Sequence, residues 1–213
     1  MDRFFQLDNG FMRAMSKLAD IIFASILWIL FSIPIFTIGA STTALYYTSV
    51  KVIQHERSYV WKSFWQSFKE NFRNGTILWV ILAVIYGVLG LNIRMASNLF
   101  GETLGLLLQC IYMVMLIIVS MTGMYLFPVL SRFAIDKRQA IKLSLFMAVK
   151  HLPFSVIMIV IAAVAILVVY LVTPLILLMP VAATLFISVF MERVLKKYMP
   201  KEKDESLDQW YLE

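Results

Sequence analysis

Two histidines, one cysteine and scattered carboxylates are all that this chain offers for catalysis at neutral pH, and their placement argues against it. Acid–base and nucleophilic chemistry needs a nucleophile, a base and a group that stabilises developing charge, all within mutual reach. His55 stands beside Glu56, and His151 beside Lys150, each in a basic stretch between apolar runs. Both read as solvated or headgroup-level side chains. Cys110 lies inside an apolar run, where burial raises a thiol's pKa and suppresses the thiolate, so it reads as a small apolar filler. A single cysteine also gives the chain no internal disulfide and no cysteine-based zinc site. No His-Glu-x-x-His, phosphate-binding loop, Gly-x-Ser-x-Gly elbow or dinucleotide glycine pattern occurs. The expectation is a non-enzyme with no catalytic, cofactor-binding or metal-binding residues.

The polarity left inside the apolar runs is hydroxyl and amide. Thr37, Ser41, Thr42 and Thr43 gather just beyond Pro34, while Gln109, Ser120 and Thr122 share a later run. Pro34 removes a backbone donor and Gly39 can take positive φ, so the segment Pro34, Thr37, Gly39, Thr42, Thr43 is the candidate helix break. The neighbouring hydroxyls can either satisfy the freed backbone groups or bind a small neutral solute such as a sugar. Trp28, Tyr46, Tyr47 and Trp79 are available for stacking there, although aromatic belts at a membrane interface use the same residue types. Ion-coupled transport would need titratable groups inside the spans, and the apolar runs have none. Asp20, Glu102 and Glu192 stand at span ends and read as anchors.

The elements that must position these residues are set by composition. Of 213 residues, 61% are hydrophobic and only 15% charged, with a mean hydropathy of +0.83. An ordinary soluble globule is excluded. Ile21–Val50, Asn74–Ile93, Thr103–Ser131 and Leu152–Met191 contain no Asp, Glu, Lys, Arg or His. Backbone groups in lipid must be paired within the segment, and these runs lack the alternation of barrel strands, so they are helices. A hydrocarbon core takes about 20 helical residues, so the last run holds two spans turning near Thr173-Pro174, with a kink expected at Pro180. Residues Gly75–Ile93 and Thr103–Phe127 are one span each. The fold class is an all-α polytopic transmembrane bundle of five hydrophobic segments, the first broken at Pro34–Gly39, with cytoplasmic amphipathic connectors. It has six helices if the break makes a hairpin with arms near Met12–Phe31 and Gly39–Gln54. Residues 1–200 form one membrane domain, and 201–213 a mobile cytoplasmic tail whose Trp210-Tyr211-Leu212 is expected to fray. No cleaved signal peptide is expected ahead of the first run.

Lysine and arginine mark the cytoplasmic side of short loops. With a hairpin, only Arg94 falls on the far side; with a single tilted first span, the N-terminal basic residues do as well. The hairpin is favoured, placing both termini in the cytoplasm of a multi-pass protein of the bacterial cytoplasmic membrane. Basic residues are spread over loops and do not indicate nucleic-acid binding.

Trp61, Phe64, Trp65, Phe68 and Phe72 fall on one helical face, with Lys62, Lys69 and Arg73 on its flank. This reads as an interfacial connector helix whose stripe contacts either the lipid surface or protein, the latter being the bundle itself or a partner. A shorter stripe of Phe4, Leu7, Phe11, Met15 and Leu18 precedes the first span. The spacing of Ser63-Phe64-Trp65 with Phe68-Lys69 is echoed weakly by Ser144-Leu145-Phe146 with Val149-Lys150. Gly101-x-x-x-Gly105, Ala40-x-x-x-Ala44 and Thr184-x-x-x-Ser188 are small-residue spacings suited to close helix contact.

Trp28, Pro34, Thr37, Gly39, Ala44-Leu45-Tyr46, then Phe64, Phe68 and Asn71-Phe72 ahead of a second span, resemble the YesL-like family of small bacterial integral membrane proteins, a domain of unknown function. The resemblance runs over about residues 1–200 and is most specific at the Pro-x-x-Thr-x-Gly break. It implies a role beside carbohydrate uptake, with a sugar importer permease or a membrane sensor as partner, and it supplies no catalytic residues. The expected function is a non-enzymatic accessory or regulator of carbohydrate uptake, using Trp61–Arg73 as its contact surface. The rival is a facilitator or transporter for a small neutral solute at the Pro34–Thr43 break. Oligomeric state is open.

Overall fold

Helix α1 (Asp2–Ser32) stops two residues before Pro34, as a residue without an amide hydrogen requires. In the computed structural model, which describes residues 2–133 and 135–198, a 3-10 turn (Ile35–Thr37) reverses the chain into α2 (Ile38–Thr48). One π-helical turn (Ser49–Gln54) extends α2. The arms are antiparallel. Near the tip Trp28 Nε1 donates to Thr42 Oγ1 at 3.2 Å, and at the open end Lys17 Nζ meets Glu56 Oε1 at 2.5 Å. The Pro34–Gly39 segment therefore forms a hairpin.

Helix α3 (Val60–Arg132) follows, with α4 (Lys137–Lys150), α5 (Leu152–Leu171), a 3-10 turn (Thr173–Leu177) and α6 (Met179–Leu195). The chain is 91% helical with no strand among the described residues. Among the described residues, four helical stretches are long and apolar enough to cross a membrane: Ala14–Ser32, Val60–Ala96, Thr103–Arg132 and Leu152–Leu171. Helix α6 has 17 residues and α2 with its π turn is of similar length, both short of the ~20 that a perpendicular crossing takes.

Three expectations change. The Trp61–Arg73 connector is not a separate helix. It runs without interruption into the apolar stretch to Ala96, because no breaker lies between them and Gly75 is held by packing. Gly101 is not a helix-contact glycine; at φ 76°, ψ 175° it is the reversal point between the two arms of α3 (Val60–Ala96 and Thr103–Arg132). Pro180 does not kink α6. It occupies the first turn, where its missing N–H costs nothing.

The arms of α3 run antiparallel, joined by Tyr86 Oη donating to Ser120 Oγ at 3.1 Å and Gln109 Nε2 to Ile93 O at 3.1 Å. One core cluster lies between α1, α2 and the start of α3 (Ala24, Leu27, Ala40, Ala44, Phe64, Phe68). Another joins α2, α3, α4, α5 and α6 through Tyr46, Leu78, Tyr125, Met147, Met158 and Met191. The polar tail 201–213 and the side chains of Phe4, Leu7, Phe11 and Glu102 lie outside the described residues.

Candidate functional site

The hydroxyls of Thr37, Ser41, Thr42 and Thr43 at the helix break are committed to backbone. Thr37 Oγ1 lies 2.6 Å from both Phe31 O and Pro34 O, and Ser41 Oγ donates to Phe31 O at 2.8 Å. Thr42 and Thr43 donate to Ile38 O (2.7 Å) and Gly39 O (2.9 Å), one turn back. From across the interface, Trp79 Nε1 donates to Ile35 O at 2.7 Å. The break is thus knitted by side chains that replace the bonds Pro34 and the reversal removed. Gly39 does its work by size: a Cβ there would come within 2.6 Å of Trp79 Cβ and 2.9 Å of Phe127, with the Gly75 carbonyl closer still. Helix α2 and the first arm of α3 touch backbone to backbone at Gly39 and Gly75.

The aromatic stripe is divided between two roles. Phe64 and Phe68 are buried, with Phe31 of α1 seated among Phe64, Trp65 and Phe68 at ring-centroid distances of 5.6, 5.7 and 4.9 Å. Trp61 (50% exposed), Trp65 (44%) and Phe72 (41%) remain open, and Trp61 and Trp65 stack in parallel at 6.0 Å. Lys62, Lys69 and Arg73 are exposed beside them. The contact surface expected for the whole stripe is therefore reduced to its outer edge, because the end of α1 covers the middle. The echo at Ser144–Lys150 does not match this arrangement: Leu145 and Val149 are exposed where Phe64 and Phe68 are buried.

A buried ionic cluster escaped the sequence reading. Arg132, at the end of α3, places an Nη 2.7 Å from Glu192 Oε1 of α6, and Tyr46 Oη of α2 donates to the same oxygen at 2.7 Å. The Arg132 side chain is 1% exposed and that of Glu192 12%. Charges this deep are stable only as a compensated, hydrogen-bonded set. Glu192 is thus an interior pair and not only a span-end anchor. The available signal was positional: Arg132 and Glu192 each directly follow a long ion-free run.

A cleft of about 580 Å³ opens between α2, both arms of α3, α5 and α6, bordered by Thr42, Trp79, Tyr86, Ser120 and Ile166. A second of about 330 Å³ adjoins it at Thr42, Ile166 and Thr184. Both are walled almost entirely by hydrocarbon, and Thr42, Ser120 and Thr184 give their protons to carbonyls one turn back. Trp28 and Trp79 line them, whereas Tyr47 is engaged by Lys51, whose Nζ reaches Tyr47 Oη at 2.9 Å. His55 Nδ1 sits 2.8 Å from Val50 O, and His151 Nε2 3.2 Å from Tyr198 Oη. Burial holds the His151 pKa below the usual value, helped by Lys197 and Lys150. Cys110 is exposed on the second arm of α3, not packed as a filler, because that stretch has few neighbours. No group of three or more metal-ligating side chains occurs among the described residues.

Long apolar helices with only 11–17% of each spanning window buried define a multi-pass helical membrane protein, compatible with a lipid bilayer. The match to a known family narrows this only slightly. The model of a family described as a protein of unknown function, DUF624, matches residues 21–93, about a third of the chain, covering the hairpin, the aromatic stripe and most of the first arm of α3. No curated protein matches, and no solved structure matches.

Proposed function

We propose that this chain is a non-enzymatic, YesL-like protein of the bacterial cytoplasmic membrane that assists or regulates a carbohydrate uptake system. Its termini face the cytoplasm in this reading, with α2 and α6 completing six crossings. The observation that carries the contact role is the exposed, stacked Trp61–Trp65 pair with Phe72, flanked by Lys62, Lys69 and Arg73. Aromatic rings and basic heads on one rigid helix suit either a protein groove or the anionic headgroup layer. The carbohydrate setting draws on the sequence resemblance at Pro34–Tyr46, and the partner is a sugar importer permease or a membrane sensor.

Capture from mild detergent tests it. Wild-type protein should bring down a permease or sensor, and Trp61→Ala with Trp65→Ala should abolish that recovery while leaving the chain folded, since Trp61 is half exposed and Trp65, though it touches Phe31, is 44% exposed. Identical recovery by the double variant would sink the reading. The rival, a facilitator for a neutral solute, draws on the cleft beside Thr42 and Trp79. Its test is uptake of labelled sugar by liposomes carrying the purified chain alone.

A further inference from the structure

A second kind of cavity lies at the boundary where α3 turns from polar to apolar. It is polar, about 330 Å³, and is lined by Glu70, Asn71, Asn74, Ser131 and Arg132, with Leu130, Phe133 and Ile135 as its hydrocarbon wall. The hydrogen bonds already made there decide what it can still offer. Asn71 Nδ2 donates one hydrogen to Ser67 O at 3.0 Å, which leaves the amide an acceptor oxygen and a second N–H, and Ser131 Oγ donates to Pro128 O at 2.7 Å, which leaves that hydroxyl its lone pairs. Glu70 has one oxygen bonded by Gln66 Nε2 at 3.0 Å and a carboxylate's further acceptor capacity in reserve. Asn74 adds an amide. The charge of Arg132 is compensated by Glu192 at 2.7 Å.

Such a lining mixes acceptors with amide donors and asks for a ligand that can both give and take hydrogen bonds. Anions are disfavoured by the Glu70 carboxylate. Cations are disfavoured by the basic residues in sequence alongside: Lys69 and Arg73 adjoin Glu70 and Asn74, and Lys137 and Arg138 follow Ile135. What remains is a neutral molecule with several hydroxyls and an apolar face. We propose that this pocket binds a neutral polyhydroxylated ligand of monosaccharide size, its hydroxyls hydrogen-bonded to Glu70, Asn71, Asn74 and Ser131 and its C–H face lying on Phe133. The argument uses the pocket's own chemistry and is independent of the Trp61–Trp65 contact, so either can fail alone.

Saturation-transfer NMR on the full chain in detergent tests it, with D-glucose and myo-inositol as neutral probes, putrescine as the cation and inorganic phosphate as the anion. The neutral polyols should show transfer and compete with each other. Asn74→Ala and Glu70→Ala should each weaken them by about threefold to tenfold, the loss of one hydrogen bond. Both positions lie at the protein surface, and an unchanged thermal midpoint confirms folding; Trp61→Ala should leave polyol binding intact. The proposal is overturned by a folded chain that gives no polyol signal, by binding unchanged in both variants, or by a preference for putrescine or phosphate.

Discussion

The first arm of α3 is one continuous helix with two unlike halves. From Val60 to Trp79 it is covered by α1 and α2, its phenylalanines interleave with Phe31, and Gly75 lies backbone to backbone with Gly39 and Ala40. Beyond Trp79 it is left to the antiparallel second arm and little else: Val84 is 59% exposed, Leu91 62% and, on the facing arm, Leu107 60%. Lipid is as apolar as leucine, so helices in a bilayer gain nothing by hiding hydrocarbon from it. The lower half must be held by close fit and internal polar bonds. The upper half needs only solvation by acyl chains.

Glycine substitutions should break this contrast most sharply. Gly39→Val places carbon into the Gly75 backbone and against Trp79, where no flexible side-chain end can give way. The expected outcome is a chain that fails to accumulate in the membrane. Gly87→Ala and Gly90→Ala meet nothing within 4 Å. They should be neutral or raise the thermal midpoint, by the ~0.5–1 kcal/mol that alanine gains over glycine in a helix. Equal damage from Gly39→Val and from the Gly87 and Gly90 variants would erase the distinction between the halves.

The ion pair comes next. Arg132→Met or Glu192→Leu alone strands a buried charge, at a cost of about 3–5 kcal/mol. The double variant Arg132→Met, Glu192→Leu should lose much less than the sum, measured as a double-mutant cycle on unfolding in detergent. Additive losses would mean that the two groups do not rely on each other. Phe64→Ala should cost a similar ~3–5 kcal/mol, and Trp61→Ala about 0.5 or less, separating the covered middle of the stripe from its outer edge.

What could be read from the sequence follows the range of the interaction responsible. Spans declare themselves by composition, and the reversal by Pro34, whose backbone is restricted, so both are local; Gly39 lies within α2 and matters through its small size. The polarity change near Asn74 is equally visible, yet it marks where the surroundings change and not where the helix ends. Periodicity identified the aromatic face but not its coverage, which depends on where Phe31 lands after the chain has turned twice. The Tyr46–Glu192–Arg132 cluster joins residues up to 146 positions apart, and no spacing rule connects them. The polar pocket is of the same kind, assembled from Glu70–Asn74 and Leu130–Ile135 only when the arms of α3 return antiparallel.

The smallest effect lies at the junction of α4 and α5, where the densely packed region borders water. His151 is held between Tyr198 (ring centroids 6.1 Å, edge-on) and Phe154 (6.3 Å), with burial first and then Lys197 and Lys150 lowering its pKa. A base whose pKa is depressed on folding takes its proton more readily when unfolded. Its contribution to stability is therefore complete above the unfolded value of about 6.5 and declines as pH falls from there through the lower folded value. Acidifying from pH ~7.5 towards pH ~5 should lower the thermal midpoint of the wild type more than that of His151→Gln, which keeps a polar group near Tyr198 but cannot charge. Superimposable pH profiles would show that His151 is solvated in the folded protein as freely as in the unfolded chain, and the junction would then belong with the open half of the molecule instead of the closed one.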